Sequence, residues 1–210
     1  MTQEPVKEPR QSRSRATMER LLVAAEAILE EKSWQALTIQ DVVQQAGCSV
    51  GAFYGRFKDK NGLLHALDER YFEDISTAIE ATISALESTD HSLQETVSAL
   101  ATLVVQIHSH NQGVMRTVIL QARLVADPRF RTREAQLMQY RAKIMALVLT
   151  HRQRIAHEDT ETAALFGYLQ MYYTAREMML WPHLSAAMPY QGEALATALA
   201  ESYYAYLVGV

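Results

Sequence analysis

Thr38, Ser49, Tyr54, Arg56, Lys58 and Lys60 put hydroxyl, guanidinium and ammonium donors into one short stretch of a 210-residue chain. No Gly-rich phosphate loop, CxxC, HExxH or Ser-elbow motif accompanies them, so the chemistry they point to is recognition. Donors of these types suit phosphate oxygens and base edges. Between them stand Val50 and Ala52, which can offer apolar contact, and Gly51, which lets the backbone come close to another surface.

The stretch from Leu37 to Leu67 reads as helix, turn, helix, loop, helix. Thr38 can cap a first short helix, with Asp41 three residues on in the place of a capping-box partner. Gly47 suits a sharp turn, and Ser49 can cap a second helix that starts at Val50. Phe53 and Phe57, spaced i, i+4, would face inward. Two short helices across such a turn form a helix-turn-helix, whose second helix enters the major groove. The alternative is a short buried hairpin in an ordinary α domain. Against it, Gly51 and Gly55 each weaken an isolated helix by about 1 kcal/mol, a cost with no return unless the backbone meets a surface.

These residues also carry a family resemblance. Thr38-Ile39, Ala46-Gly47-Cys48-Ser49, Gly51-Ala52-Phe53-Tyr54, Arg56-Phe57 and Lys60-Asn61-Gly62-Leu63-Leu64 resemble the N-terminal signature of the tetracycline-repressor (TetR) family, from about Thr17 to Leu67. The chain departs from that signature at Arg56, where the family often has His, and at Gly55, where it often has an aromatic residue. The resemblance implies a one-component transcriptional regulator. It would most often be a repressor that binds an operator in double-stranded DNA as a homodimer and releases it when a small molecule binds the C-terminal domain. An activator, or a DNA-binding protein of the same shape without a ligand, is the alternative. A helical binding or enzymatic bundle with an idle head is a third. Thr38, Ser49, Val50, Gly51, Ala52, Tyr54, Arg56 and Lys60 are the expected DNA-binding residues.

The bulk numbers fit a protein that meets nucleic acid with one end. Net charge is −4 overall. Residues 1–60 carry nine Lys/Arg against eight Asp/Glu, and the remainder eleven against sixteen. One cysteine excludes an internal disulfide and suits a reducing cytoplasm. The polar start has no signal-peptide core, and no apolar run approaches the roughly 20 residues of a membrane span.

The elements that position the donors follow from periodicity. Residues 1–13 read as a disordered arm with Arg10, Arg13 and Arg15 as a small basic cluster. Helix one is expected from about Ser14 to Lys32, with Met18, Leu21, Leu22, Ala25, Ile28 and Leu29 on its inner face. Trp34 should plug the core of the DNA-binding domain, residues 14–60. Asp59 can cap a long helix whose apolar stripe runs from Leu63 to Leu86, spanning roughly 40 Å. Residues 61–210 would then form a helical ligand-binding and dimerisation domain, giving an all-α chain. Ser92 and Glu95 form a capping box; His108 to Gly113 reads as a break, and Met115 to Ala126 as a helix. Asp127-Pro128 starts the next helix, which runs to about Arg154. Thr160 to Trp181 and Ala194 to Val208 complete the set, and the last is apolar nearly all round, so it needs two partners.

No phosphate loop, CxxC, HExxH or Ser-elbow motif occurs, and the seven histidines form no metal pattern. An enzyme, a cofactor and a metal are therefore not expected. His108 and His110, two apart, would point different ways, as surface or capping residues. Met and Tyr are plentiful, which suits a pocket for a largely apolar effector with a few polar atoms. His108, Met115, Ile119, Tyr140, Tyr168 and Tyr172 are its expected lining.

Overall fold

The computed structural model describes residues 10–124, 128–183 and 190–210; side chains are described from Ser14 to Gln121 and from Thr132 within these ranges. Among the described residues there are nine α-helices and no strand: α1 Arg10–Glu31, α2 Ile39–Gln45, α3 Val50–Tyr54, α4 Lys60–Ser88, α5 Leu93–Ser109, α6 Gln112–Leu124, α7 Pro128–Leu149, α8 Thr160–Leu180 and α9 Gly192–Val208. The fold is all-α, with a helix-turn-helix at its N-terminal end.

Local chemistry sets most of the helix starts. Thr38 and Asp41 form a complete capping box: the Asp41 N–H donates to Thr38 Oγ1 and the Thr38 N–H to Asp41 Oδ2, both at 3.1 Å. Ser49, Asp59 and Asp159 accept from the N–H groups of Ala52, Gly62 and Thr162. Ser92 and Glu95 close a second box at the start of α5. Gly47 turns the chain between α2 and α3 at φ +60°, a backbone that side chains rarely adopt.

Three expectations are corrected. The arm ends earlier than residue 13, because α1 already begins at Arg10; the side chains of Arg10 and Arg13 lie outside the described residues, and Arg15 is exposed. Met18, expected inward, is also exposed. The break after α5 is only two residues long, since Asn111 takes φ +47° and turns the chain in one step. Residues 125–127, where the helix expected to Ala126 should end, lie outside the described residues, as do residues 184–189 ahead of α9.

The N-terminal core gathers Leu21, Leu29, Leu37, Val42, Phe53 and Leu63, all 1% exposed or less. Trp34 is buried beside them. Helix α3 is only five residues long, and Gly55 caps it. Phe57 therefore packs from the following loop rather than from the helix, its ring 5.2 Å from that of Phe53.

Helix α4 runs from this core into the C-terminal helices along the expected stripe, burying Leu67, Phe72, Ile75, Ile79, Ile83 and Leu86 among others. Helix α7 is fastened to it by Arg133, which reaches the buried Asp68 carboxylate at 3.3 Å and lies over the Phe72 ring. Burial pushes the Asp68 carboxyl up, and the Arg133 charge opposes that.

A second joint forms where the N-terminus of α6 meets the C-terminus of α1. The Gly113 N–H donates to Glu30 Oε1 at 3.0 Å, and Arg116 Nη2 donates to the Leu29 carbonyl at 3.3 Å. Each helix end thus receives the charge its dipole favours. The approach is so close that a Cβ on Gly113 would sit 2.3 Å from the Leu29 carbonyl carbon. Backbone on both sides leaves nothing flexible to give way. We expect Gly113→Ala to lower stability by about 1–3 kcal/mol in urea unfolding. An unchanged midpoint would show that the two helices part at no cost.

Candidate nucleic-acid interface and buried polar cluster

Helix α3 has one side in the core and the other in solvent. Phe53 is fully buried, while Val50 and Tyr54, one turn apart, are 41% and 56% exposed. Gly51 lies between them, and a Cβ there would meet only the Ser49 hydroxyl, at 3.8 Å. Ala52 is half-buried. Thr38 and Ser49, though used as caps, remain exposed at the starts of α2 and α3. Val50, Gly51 and Tyr54 therefore form the open side of α3, with Thr38 and Ser49 exposed at the starts of α2 and α3.

Arg56 and Lys60 are placed differently from their expected positions. Arg56 lies beyond the end of α3. It is exposed, but its Nε donates to the Ser14 carbonyl at 3.1 Å and its Nη1 to the Gly55 carbonyl at 3.0 Å. Two of its five N–H groups are thus spent on backbone, which ties the end of α3 to the start of α1. Lys60, expected at the surface of the α4 N-terminus, is turned inward. Its ammonium donates to the Trp34 carbonyl and stands 4.5 Å from the centre of the indole ring. Burial lowers the Lys60 pKa from its ordinary value. The distance from Trp34 in sequence hid this cation–π contact from any reading of local pattern.

Cys48, in the turn, is half-buried, with Sγ 3.5 Å from the Ala46 carbonyl. Among the described residues no three His, Cys, Asp or Glu side chains gather as a metal site, and no helix is long and apolar enough to cross a membrane.

The six residues expected to line a pocket divide into groups. His108 on α5 and Tyr172 on α8 touch edge to face, with ring centres 4.8 Å apart, and Tyr168 is 6.1 Å from Tyr172. Met115 is wholly buried in α6, and Ile119 packs half-buried one turn on. Tyr140 stands apart: its hydroxyl donates to Glu80 Oε1 at 2.7 Å on an exposed edge of α4. That bond, more than burial, raises the Tyr140 pKa. His110 is on the surface and pairs with Asp74 at 3.1 Å.

His108 is neither surface nor cap. It is 2% exposed, and its Nδ1 lies 2.7 Å from the Val104 carbonyl, which requires the proton to be on Nδ1. Burial pushes its pKa down to about 4, with the nearby Arg176 charge acting in the same direction. Burial likewise raises the hydroxyl pKa values of Tyr71, Tyr168 and Tyr172, so all stay protonated. Tyr71, from α4, and Arg176, one turn beyond Tyr172 on α8, were not among the expected residues.

The described residues are all-α and present an exposed helix in a helix-turn-helix, the architecture that many DNA-binding regulators use. Residues 21–67 match the family model for bacterial regulatory proteins of the tetR family. The chain is 26% identical over 172 residues to the nucleoid occlusion factor SlmA of Actinobacillus pleuropneumoniae, covering 80% of this chain and 82% of that one. It is 24% identical over 161 residues to YvkB of Bacillus subtilis, an uncharacterized HTH-type transcriptional regulator, covering 73% and 82%. Among solved structures, the TetR family regulator PfmR from Thermus thermophilus matches with a TM-score of 0.69 at 17% identity, covering 90% of this chain and 97% of that one. FadR from Bacillus subtilis, solved in complex with stearoyl-CoA, matches with a TM-score of 0.62 at 17% identity, covering 91% and 98%. Residues 21–67 thus resemble the DNA-binding segment of that family, and the described residues share the fold of its solved members.

The depressed His108 pKa makes stability depend on pH. An unfolded chain takes up the His108 proton near pH 6.5, whereas the folded one does so near 4. Unfolding therefore binds a proton between those values, and stability falls as pH drops through that window, by up to about 3 kcal/mol. Glu26 and Asp68, both pushed up by burial, act with the opposite sign, so the wild type must be compared with His108→Leu. Urea unfolding at pH 7 and pH 4.5 should give a larger loss for wild type than for the variant. Equal losses would place His108 in water rather than in the core.

Proposed function

We propose that the chain is an effector-responsive repressor acting in the cytoplasm. Residues 14–60 bind double-stranded operator DNA; residues 61–210 bind a small, largely apolar molecule and form the homodimer. The open face of α3 is the observation that carries the DNA-binding part. Val50, Gly51 and Ala52, at the N-terminal end of α3, meet base edges, with apolar contact to a thymine methyl as the main option. Thr38, Ser49 and Tyr54 hold phosphates beside them. Lys60 reaches a phosphate only by leaving the Trp34 carbonyl, so its first duty is to hold the loop before α4.

Two Arg56 donors are committed to backbone, which leaves a poor fork for a bidentate guanine contact and a good one for a phosphate. Arg56 is therefore a phosphate clamp on a rigid corner. In gel-shift titrations on the DNA upstream of its own gene, Arg56→Ala should weaken operator and unrelated DNA alike. The salt slope should fall by about one per lost contact. Loss of discrimination at one base pair would instead make it a base reader. No shift on any fragment, with wild type, would remove the DNA-binding reading.

Release by an effector rests on the His108, Tyr168 and Tyr172 cluster, buried where α5 and α8 meet. The likeness to FadR, whose solved complex holds stearoyl-CoA, supports a body of this shape housing a ligand. The second reading is a DNA-binding protein that answers to no small molecule, and the likeness to nucleoid occlusion factors favours it. A compound library screened for operator release separates the two: any specific releasing compound supports the first.

The dimer is assigned to α8 and α9. Helix α9 buries Leu195, Leu199, Tyr203 and Leu207 on one side. Its other side carries Ala194, Thr197, Ala198 and Ser202, small residues that let a second helix approach. On α8, Phe166 and Tyr173, two turns apart, are 50% and 45% exposed. These faces meet their counterparts in a four-helix bundle. Ala198→Glu should yield monomers by light scattering, with operator affinity lost. A dimer of unchanged mass would put the seam elsewhere.

A further inference from the structure

Arg176 of α8 carries a donor that the fold leaves unused. Its Nε is buried and has no hydrogen-bond partner among the described residues. The side chain is only 15% exposed. Its Nη2 donates to Glu177 Oε1 at 2.9 Å, and that carboxylate is half in solvent. Its guanidinium lies 4.5 Å from the centre of the Tyr173 ring. One nitrogen of the group is thus paired, and Nε is not.

The side chains around Tyr172 are polar and aromatic. Tyr172 packs on Tyr173 at 5.4 Å and on His108 at 4.8 Å between ring centres. The positive charge of Arg176 acts on both Tyr172 and His108. The hydroxyls of Tyr71 and Tyr203, by contrast, are spent on the Ile107 and Ala164 carbonyls. Met171, Ala175 and Met179 make the rest of this side of α8 apolar. A buried cationic donor without an acceptor costs free energy that an incoming acceptor recovers.

We propose that this cluster receives the carboxylate of a largely apolar monocarboxylic acid. Arg176 Nε–H donates to one carboxylate oxygen, and the Tyr172 hydroxyl serves as the second donor. A carboxylate suits the site better than the alternatives. A cation is repelled by Arg176. A neutral hydroxyl accepts the N–H but gains only the weaker, uncharged bond to it. A phosphate dianion needs more donors than one buried N–H and a phenol supply. The inference rests on the effector-binding reading given above and names the chemical class of that effector.

The test is calorimetric titration of the full-length protein at neutral pH with decanoate, decanamide and decanol, each below its aggregation limit. Wild type should bind decanoate at least about tenfold more tightly than either neutral analogue. Arg176→Met should reduce that preference to near unity, and Arg176→Lys should restore part of it. If Arg176→Met fails to fold, Tyr172→Phe is used instead, and it should lower the preference severalfold. Equal binding of acid and alcohol, a preference unaltered in Arg176→Met, or no binding of decanoate would overturn the proposal. Operator release by a neutral compound, with decanoate inert, would leave the effector reading standing while this inference fell.

Discussion

The placement of the DNA-binding helices depends on how the C-terminus of α1 is held by the N-terminus of α6. Helix ends carry unpaired N–H and carbonyl groups, and these two ends satisfy each other through Glu30 and Arg116. Gly113 lets the backbones touch, so the joint has almost no slack. Helix α1 in turn packs on α2 and is tied by Ser14 to Arg56 at the end of α3. A tilt at α6 is therefore carried to the open face of α3 without intervening flexible chain.

Helix α4 supplies a second, parallel link. Arg70 bridges Glu19 and Glu26 of α1 at 2.8 and 3.2 Å, and Asp74 meets His110 just before α6. His110 is two residues from His108, so the buried polar cluster and the α1–α6 joint share the end of α5. An effector that shifts His108 or Arg176 acts next to the corner at Asn111 that sets the direction of α6. That adjacency is a physical route by which occupancy of one site biases the other. It requires two arrangements of a packed joint rather than gradual deformation.

Much of the fold was legible in the sequence because its signals are local. The caps at Thr38, Ser49, Asp59 and Ser92 act within three residues of themselves, and the apolar stripe of α4 repeats at helical spacing. The helix-turn-helix followed from Gly47 and from the i, i+4 phenylalanines, although Phe57 proved to pack from the loop. What the sequence hid depends on residues far apart in the chain. Gly113 looked like a helix breaker, and its purpose is visible only once Leu29 lies against it. Lys60 looked like a surface cation until Trp34 closed over it. His108 and Tyr172 were named from their polar tips, but Arg176, whose unused donor gives the cluster its sign, looked like any charged residue on a helix.

The most direct test of this account is hydrogen–deuterium exchange of the full-length protein with and without bound operator DNA. If the α1–α6 joint fixes the reading face, DNA should change exchange at Val114, Met115 and Arg116, far from the groove, as well as in α2 and α3. Changes confined to residues 38–60, with the first turns of α6 untouched, would contradict it.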